Sequence, residues 1–145
     1  MIRSIMTTDI DALCKINSEE LGYDYPREQS LTQLRKILND SNHYLLALYE
    51  DETTKKILGY VHAEVYEEIY AEPTLNVLAL AVVRDNQNSG IGTQLMSWLE
   101  NTAVSKGYKS IRLNSGMSRK NAHEFYEHIN YVHTKNQKKF IKKLK

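Results

Sequence analysis

The stretch of sequence that decides the fold is Val82-Val83-Arg84-Asp85-Asn86-Gln87-Asn88-Ser89-Gly90-Ile91-Gly92-Thr93. Residues 75–83 are apolar at nearly every position, which predicts a strand that is buried on both faces. From Gly90 onward apolar residues recur at helical spacing, so a long amphipathic helix is expected, with Lys106 and Gly107 as its C-terminal stop. The stretch therefore joins a strand to a helix through a polar loop with two glycines.

The start of that helix is a candidate phosphate site. The first four N–H groups of a helix have no internal partner, and the helix dipole places partial positive charge there. Glycines let a phosphate approach this backbone closely. The loop lacks the Lys-Ser/Thr of a nucleotide-hydrolase P-loop and the three-glycine spacing of the dinucleotide fingerprint. From the spacing alone, a pyrophosphate site and a merely tight turn both remain open.

The rest of the chain predicts a mixed α/β domain around a central sheet. Thr8-Asp9 opens a helix that ends at Gly22, and Ser30 is placed to cap a second helix. We expect strands over residues 2–5, 43–50, 56–66 and 109–114, a helix over 121–129, and a strand or irregular tail over 137–144. No repeat or Pro/Gly-rich linker divides the chain, which predicts one domain over residues 1–145.

Composition excludes several classes of protein. The 145 residues carry 19 Lys+Arg against 18 Asp+Glu, and a net charge of +1 gives no reason to expect nucleic acid. The single cysteine, Cys14, excludes an intramolecular disulfide, and a buried structural thiol is expected there. No apolar run is long enough for a membrane span and none near the start suits a signal peptide, so we expect a cytoplasmic protein without a membrane partner. The histidines lack metal-ligand spacing, and no metal is expected.

Charge is unevenly distributed along the chain. Residues 1–100 have a net charge of −8, and residues 101–145 have a net charge of +9. This division suggests two ligands or surfaces of opposite sign. The lysines of the last eight residues favour an edge strand protected against association, with RNA binding as the alternative.

Two motifs resemble the signatures of the GNAT superfamily of acyl-CoA-dependent N-acetyltransferases. Gln87-Asn88-Ser89-Gly90-Ile91-Gly92 matches Arg/Gln-x-x-Gly-x-Gly/Ala, and the helix after it is typical of that family. About thirty residues further on, the run from Asn121 to Tyr131 resembles Asn-x-x-x-Phe-Tyr-x-x-x-Gly-Phe/Tyr. The chain departs from the family at Asn130 and Asn88, where glycine is usual or frequent. Asn tolerates the left-handed conformation better than most residues, so the turn at Asn130 is expected to survive.

The resemblance covers essentially the whole chain and implies a fold and a donor site. The fold would be a mixed, mostly antiparallel sheet of about six or seven strands flanked by about four helices. The acyl donor would be acetyl-CoA, with its pyrophosphate on the glycine loop and its pantetheine arm on the backbone of Val82, whose N–H would polarise the thioester carbonyl. Tyr126 would be the general acid that protonates the departing thiolate. The implied cofactor-binding residues are Val82, Val83, Gln87, Asn88, Ser89, Gly90, Ile91, Gly92, Thr93, Asn121 and Tyr126.

The general base is less well marked. An ammonium acceptor must lose a proton before it attacks the thioester, but residues 75–83 contain no acid. Glu64 on the preceding strand is the first candidate, and strand alternation places it with His62, the second candidate, on a polar face. The acids Glu67, Glu68 and Glu72 of the expected next connection come after them. The alternative is that this polar face is simply solvated.

The acceptor is predicted only as a class. The acidic charge of residues 1–100 favours transfer to a primary amine of a small cationic molecule, by direct reaction in a ternary complex. A protein lysine or N-terminal acetyltransferase, or an acyl-CoA-binding sensor with reduced catalysis, are the alternatives. A homodimer is a further expectation from the resemblance. Five tyrosines are candidates for an aromatic wall around a cation, or for ordinary packing: Tyr23, Tyr25, Tyr60, Tyr66 and Tyr70.

Overall fold

The sheet is built on a long hairpin near the middle of the chain. The computed structural model describes residues 1–145. Five strands form one sheet in the order β1-β2-β3-β4-β5, antiparallel except for the parallel pair β4 and β5. The strands are β1 (Ile2–Arg3), β2 (Tyr44–Glu50), β3 (Ile57–Glu68), β4 (Ala71–Val82) and β5 (Ile111–Leu113). The predicted mixed, mostly antiparallel sheet is confirmed, but the expectation of six or seven strands is wrong.

The predicted strand that does not form is the one at the C-terminal end of the chain. Residues 137–144 pair with no other strand, and the side chains of Phe140, Ile141 and Leu144 are exposed. Five of the last eight residues are lysines, whose mutual repulsion opposes a compact strand there. The segment is the irregular tail of the two predicted possibilities, so its lysines do not protect a sheet edge.

Four α-helices accompany the sheet, as predicted. They are α1 (Ile10–Ile16), α2 (Arg27–Leu38), α3 (Ile91–Ser105) and α4 (Lys120–His128). A 3-10 turn precedes α1, and a π-helical turn (Asn17–Leu21) extends it to Gly22, which has a φ of 74°. The predicted N-cap at Ser30 is wrong, because α2 already begins after Pro26, whose fixed φ suits a helix start.

The chain divides into two compact units. Residues Met1–Asn114 form the first, with the whole sheet and helices α1, α2 and α3. Residues Ser115–Lys145 form the second, in which α4 is followed by Asn130 with a φ of 72°. The prediction that Asn130 takes the left-handed conformation is thus confirmed. No helix is both long enough and apolar enough to cross a bilayer.

The two faces of the sheet carry different layers. On one face, Val61, Ala63 and Leu75 are fully buried, together with Leu95 and Leu99 of α3. On the other face, Tyr60 of β3 joins a core formed with α1 and α2. The predicted alternation along β3 is confirmed, with Val61, Ala63 and Val65 on the α3 face and His62 and Glu64 on the α1/α2 face.

Candidate functional site

Strand β4 has an open edge in its second half. It pairs with β5 only from Leu75 to Val77, and from there to Val82 it has a partner only on the β3 side. Leu78 is an extra residue in the pairing with β3, since His62 is opposite Ala79 and Ala63 is opposite Val77. This bulge exposes 47% of Leu78, so the expected burial of the strand on both faces is wrong at this point.

The bulge changes which backbone groups face the open edge. The N–H of Leu75 donates to Ser110 O beside β5, whereas the N–H of Val83 donates to Leu58 O on the β3 side. Because successive residues of a strand direct these groups to opposite sides, the N–H and C=O of Leu80 and Val82 point into the gap beyond β5. A strand-like ligand therefore finds donors and acceptors there.

The glycine loop follows that edge at once. A 3-10 turn (Arg84–Asn86) leads to Asn88 and Gly90, which have φ values of 66° and 89°. Gly90 is the N-cap of α3 and has no side-chain cap, and the first intrahelical bond runs from Gln94 N to Gly90 O. The N–H groups of Ile91, Gly92 and Thr93 are thus without intrahelical acceptors. An anion at this helix start would meet several donors and the positive end of the dipole.

Two side chains hold the loop against the rest of the first unit. The Nε2 of Gln87 donates to Val82 O at 3.0 Å, which satisfies one of the carbonyls at the open edge. The carboxylate of Glu20, in the π-helical turn, accepts from the N–H of Arg84 at 3.1 Å. The Glu20 side chain is only 8% exposed, so this bond ties the π-helical turn to the start of the loop.

Glu64 lies in a row of polar side chains that crosses three strands. Its Oε2 accepts from Asn76 Nδ2 at 2.9 Å, and Asn76 Oδ1 accepts from Arg112 Nη1 at 2.9 Å. His43 Nε2 is 3.6 Å from the other oxygen of Glu64. The row is next to the last β4–β5 pair, where the two strands part. The alternative of a simply solvated face does not fit, because Glu64 is bonded within the protein and only 24% exposed.

His62 is on the same face, two residues before Glu64. Its Nε2 is buried and has no hydrogen-bond partner. Burial lowers the pKa of His62 to about 4, and the nearby charge of Glu64 opposes this shift only in part. The imidazole is therefore neutral at physiological pH. It is opposite Ala79, beside the bulge and one residue from the open edge at Leu80.

The other predicted acids lie further away. Glu67 and Glu68 belong to the end of β3 and Glu72 to the start of β4, so the expected connection is in fact strand and a two-residue turn. The two strands stay paired as far as Glu68 and Ala71, past their predicted ends. These acids are near the tip of the hairpin, away from the bulge at Leu78.

The five tyrosines do not form one wall. Tyr23, Tyr25 and Tyr60 line the same cavity, whereas Tyr66 stacks with Arg112, whose guanidinium carbon is 4.5 Å from the ring centroid. Tyr70 is 80% exposed at the hairpin tip.

The remaining predicted residues, Asn121 and Tyr126, belong to the second unit. Asn121 is exposed in the first turn of α4. Tyr126 packs edge-on against Phe125 and Tyr131, with ring centroids 5.3 and 5.9 Å apart. Burial raises the pKa of Tyr126, and the charge of Arg119 reduces that rise. The phenol therefore keeps its proton at neutral pH.

Comparisons with known proteins assign the family. Residues 10–131 match the acetyltransferase (GNAT) family, a match that includes the glycine loop, Glu64 and Tyr126. The chain belongs to the GNAT family. Its members are N-acetyltransferases that use acetyl-CoA as the acyl donor, and the chain is an acyltransferase of this class.

Individual relatives are distant. An aminoalkylphosphonate N-acetyltransferase of Salmonella typhimurium is 26% identical over 129 residues, which cover 86% of this chain and 80% of the relative. Among solved structures, an aminoglycoside 6'-N-acetyltransferase of Acinetobacter haemolyticus superposes with a TM-score of 0.84 at 13% identity, over 100% of this chain and 99% of that one. An aminoglycoside N-acetyltransferase in complex with CoA gives a TM-score of 0.85 at 13% identity, over 99% and 95%. These structures establish the GNAT fold.

Sequence reasoning missed several residues of the site. Asn76 was detectable as the one amide in an apolar strand, but its bond to Glu64 depends on the register of β3 and β4. Arg112 joins the row only through the parallel pairing of β5. Asn17 carried no signal, although it accepts a hydrogen bond from the hydroxyl of Tyr60, 43 residues away.

Proposed function

We propose that the protein transfers the acetyl group of acetyl-CoA directly to the primary amine of a small molecule within a ternary complex. The observation that carries this proposal is the open edge of β4 beyond Val77, which runs into the glycine loop at one end and lies beside Glu64 at the other. A donor that follows this edge has its phosphates at α3 and its acetyl group near the carboxylate.

The donor half uses backbone groups. The pyrophosphate binds at the loop from Gln87 to Thr93, where the start of α3 offers unsatisfied N–H groups. The pantetheine arm pairs with the edge-facing groups of Leu80 and Val82. One of their N–H groups donates to the thioester oxygen and stabilises the negative charge that develops there in the transition state. Val83 and Asn121 are further donor contacts by family resemblance.

Gln87 has a defined part in donor binding. Its side chain now satisfies the Val82 carbonyl that a pantetheine amide would need. When acetyl-CoA binds, a pantetheine N–H therefore replaces the Gln87 amide as the hydrogen-bond donor to Val82 O, at little cost in hydrogen bonding.

Glu64 is the proposed general base. It accepts the proton that the ammonium group must lose, directly or through a water molecule, and the bond from Asn76 fixes its orientation. The amine nitrogen then attacks the thioester carbon, the carbon–sulfur bond breaks, and the sulfur leaves as a thiolate. Tyr126 donates its phenolic proton to that thiolate and recovers a proton from solvent. Burial raises the pKa of Tyr126, so its proton is present at neutral pH when the thiolate forms.

The relatives support a small amine as the acceptor. The name of the Salmonella relative specifies aminoalkylphosphonates, and those of several structural neighbours specify aminoglycosides. A protein acceptor or a sensor without turnover are the rival functions. A sensor needs neither the fixed orientation of Glu64 by Asn76 nor a protonated Tyr126.

The experiment is a thiol-release assay with acetyl-CoA against a panel of primary amines, a lysine peptide among them. Glu64→Gln should reduce kcat by about 10²–10⁴-fold and shift the pH–rate profile, with CoA affinity unchanged. Tyr126→Phe should reduce kcat with little change in the KM for the amine.

The control is Gln29→Glu, on the exposed surface of α2. Tight CoA binding without thiol release from any amine would instead establish the sensor.

A further inference from the structure

A cavity of about 180 Å³ lies on the α1/α2 face of the sheet, next to the proposed base. Its walls are apolar side chains of both helices and of β2, among them Leu13, Leu34 and Leu46. Tyr23 and Tyr25 line its solvent side, and they are 63% and 59% exposed. The cavity is thus a recess in the core with an aromatic rim.

The cavity contains no charged side chain. No Asp, Glu, Lys or Arg is among the residues that line it. The hydroxyl of Tyr60 donates to Asn17, so each satisfies the other. The hydroxyl of Ser30 donates to Tyr25 O at 3.4 Å, and the buried Nε2 of His62 has no partner.

The position of His62 connects the cavity to the reaction. Residues 62 and 64 are two apart on one face of β3, a spacing of roughly 6.6 Å along the strand. A substituent that extends from an amine at Glu64 toward His62 therefore reaches the wall of the cavity.

We propose that the cavity holds the substituent of the acceptor, and that the acceptor is a monoamine with one ring-sized apolar group, such as an arylalkylamine. This inference rests on the proposed function. A cavity of about 150 Å³ in an apolar core accommodates benzene, so the volume here suits a single ring and excludes a sugar chain. A second ammonium group would lose its hydration in the cavity without gaining a counter-charge. The unpartnered Nε2 of His62 is then available to form a hydrogen bond with one polar group of the acceptor near its amine end.

Cys14 allows a binding test that does not depend on turnover. It is the only cysteine of the chain, and it lines the cavity half-buried. The rate of its alkylation by iodoacetamide should fall several-fold in the presence of 2-phenylethylamine. Spermidine and ethylamine should leave that rate unchanged. The measurement needs no acetyl-CoA.

A filling variant tests the same cavity in the assay. Ile37→Phe places a ring in the space and should lower kcat/KM for 2-phenylethylamine by at least about tenfold, with the value for ethylamine nearly unchanged. The matched control is Val104→Phe, which adds the same kind of bulk on the exposed side of α3.

The outcomes separate this inference from the proposed function. Protection of Cys14 by 2-phenylethylamine, together with its preferred acetylation, supports the inference. Turnover of spermidine or an aminoglycoside without turnover of ring amines overturns it and leaves the acetyltransferase intact. Protection of Cys14 without thiol release from any amine overturns the proposed function and, with it, the assignment of the cavity to an acceptor.

Discussion

Val61, Ala63 and Leu75 on one face of the sheet, and Leu95 and Leu99 on the helix that covers it, are all 0% exposed. The opposite face, under α1 and α2, holds a cavity, a half-buried thiol, an imidazole without a partner and a chain of amides and charges. Strands β3 and β4 thus carry a dry layer on one face and a polar layer on the other. The difference indicates that tight packing belongs to the α3 face, whereas the α1/α2 face accommodates polar groups and a cavity.

The largest expected effect is on the dry face. Leu95→Ala should lower the free energy of unfolding by about 2–5 kcal/mol, because a fully buried side chain leaves a cavity that its neighbours cannot fill. Leu46→Ala should lower the free energy of unfolding clearly less, because Leu46 already lies beside a cavity. Urea unfolding of both variants measures the difference. Equal losses would mean that the two faces are packed alike.

A second test concerns the buried imidazole. Between pH 6.5 and the folded-state pKa of about 4, the unfolded chain binds a proton that His62 in the folded protein does not. The free energy of unfolding should therefore fall by about 1.5 kcal/mol from pH 6.5 to pH 5, and stability returns as the pH rises.

His62→Gln should remove this part of the pH dependence, as measured by urea unfolding at both pH values. The exposed His133 provides the control, since His133→Gln should leave the slope as it is. A wild-type slope that survives in His62→Gln would show that His62 does not carry the effect.

The next largest effect on stability is expected from the backbone of the glycine loop. Gly90 has a φ of 89°, and a Cβ at this position meets nothing within 4 Å, so Gly90→Ala is strained through the backbone alone. We expect a loss of about 1–2 kcal/mol and a raised KM for acetyl-CoA.

Gly116→Ala is the matched control, because its φ is not positive and its Cβ would meet only the Arg119 side chain at 3.9 Å. Its effect should stay within about 0.5 kcal/mol. Thermal unfolding and donor saturation curves decide the comparison, and an unchanged KM in Gly90→Ala would separate the loop from the donor.

The smallest effect is expected at the two asparagines that stand where the family prefers glycine. Asn88 and Asn130 both have left-handed φ values, which glycine adopts freely. Asn88→Gly should change stability and donor KM little, within about 0.5 kcal/mol, since relief of strain is offset by the greater entropy of the unfolded chain. A large gain in donor affinity would show that Asn88 limits the fit of the phosphate loop.

The sequence predicted the order of elements through α4, the sheet type and the start of α3 well, and the proposed acceptor side poorly. Gly90 and the start of α3 were readable because the conformation of a few consecutive residues decides them. The start of α2 was missed because Pro26 outweighed the capping residue Ser30. The bulge at Leu78 has no signature, because the run around it is uniformly apolar.

The sequence by itself determined the loop that we propose as the donor site. Asn88 and Gly90 have left-handed φ values there, and such geometry depends on neighbours in the chain. Only the tertiary structure decided the region that we propose as the acceptor site. Asn17, Tyr60 and His62 meet around one cavity, and Glu64, Asn76 and Arg112 form one row, only when strand register and helix packing bring them together. Contacts between residues distant in sequence arise from burial and pairing of whole elements, which no local pattern encodes.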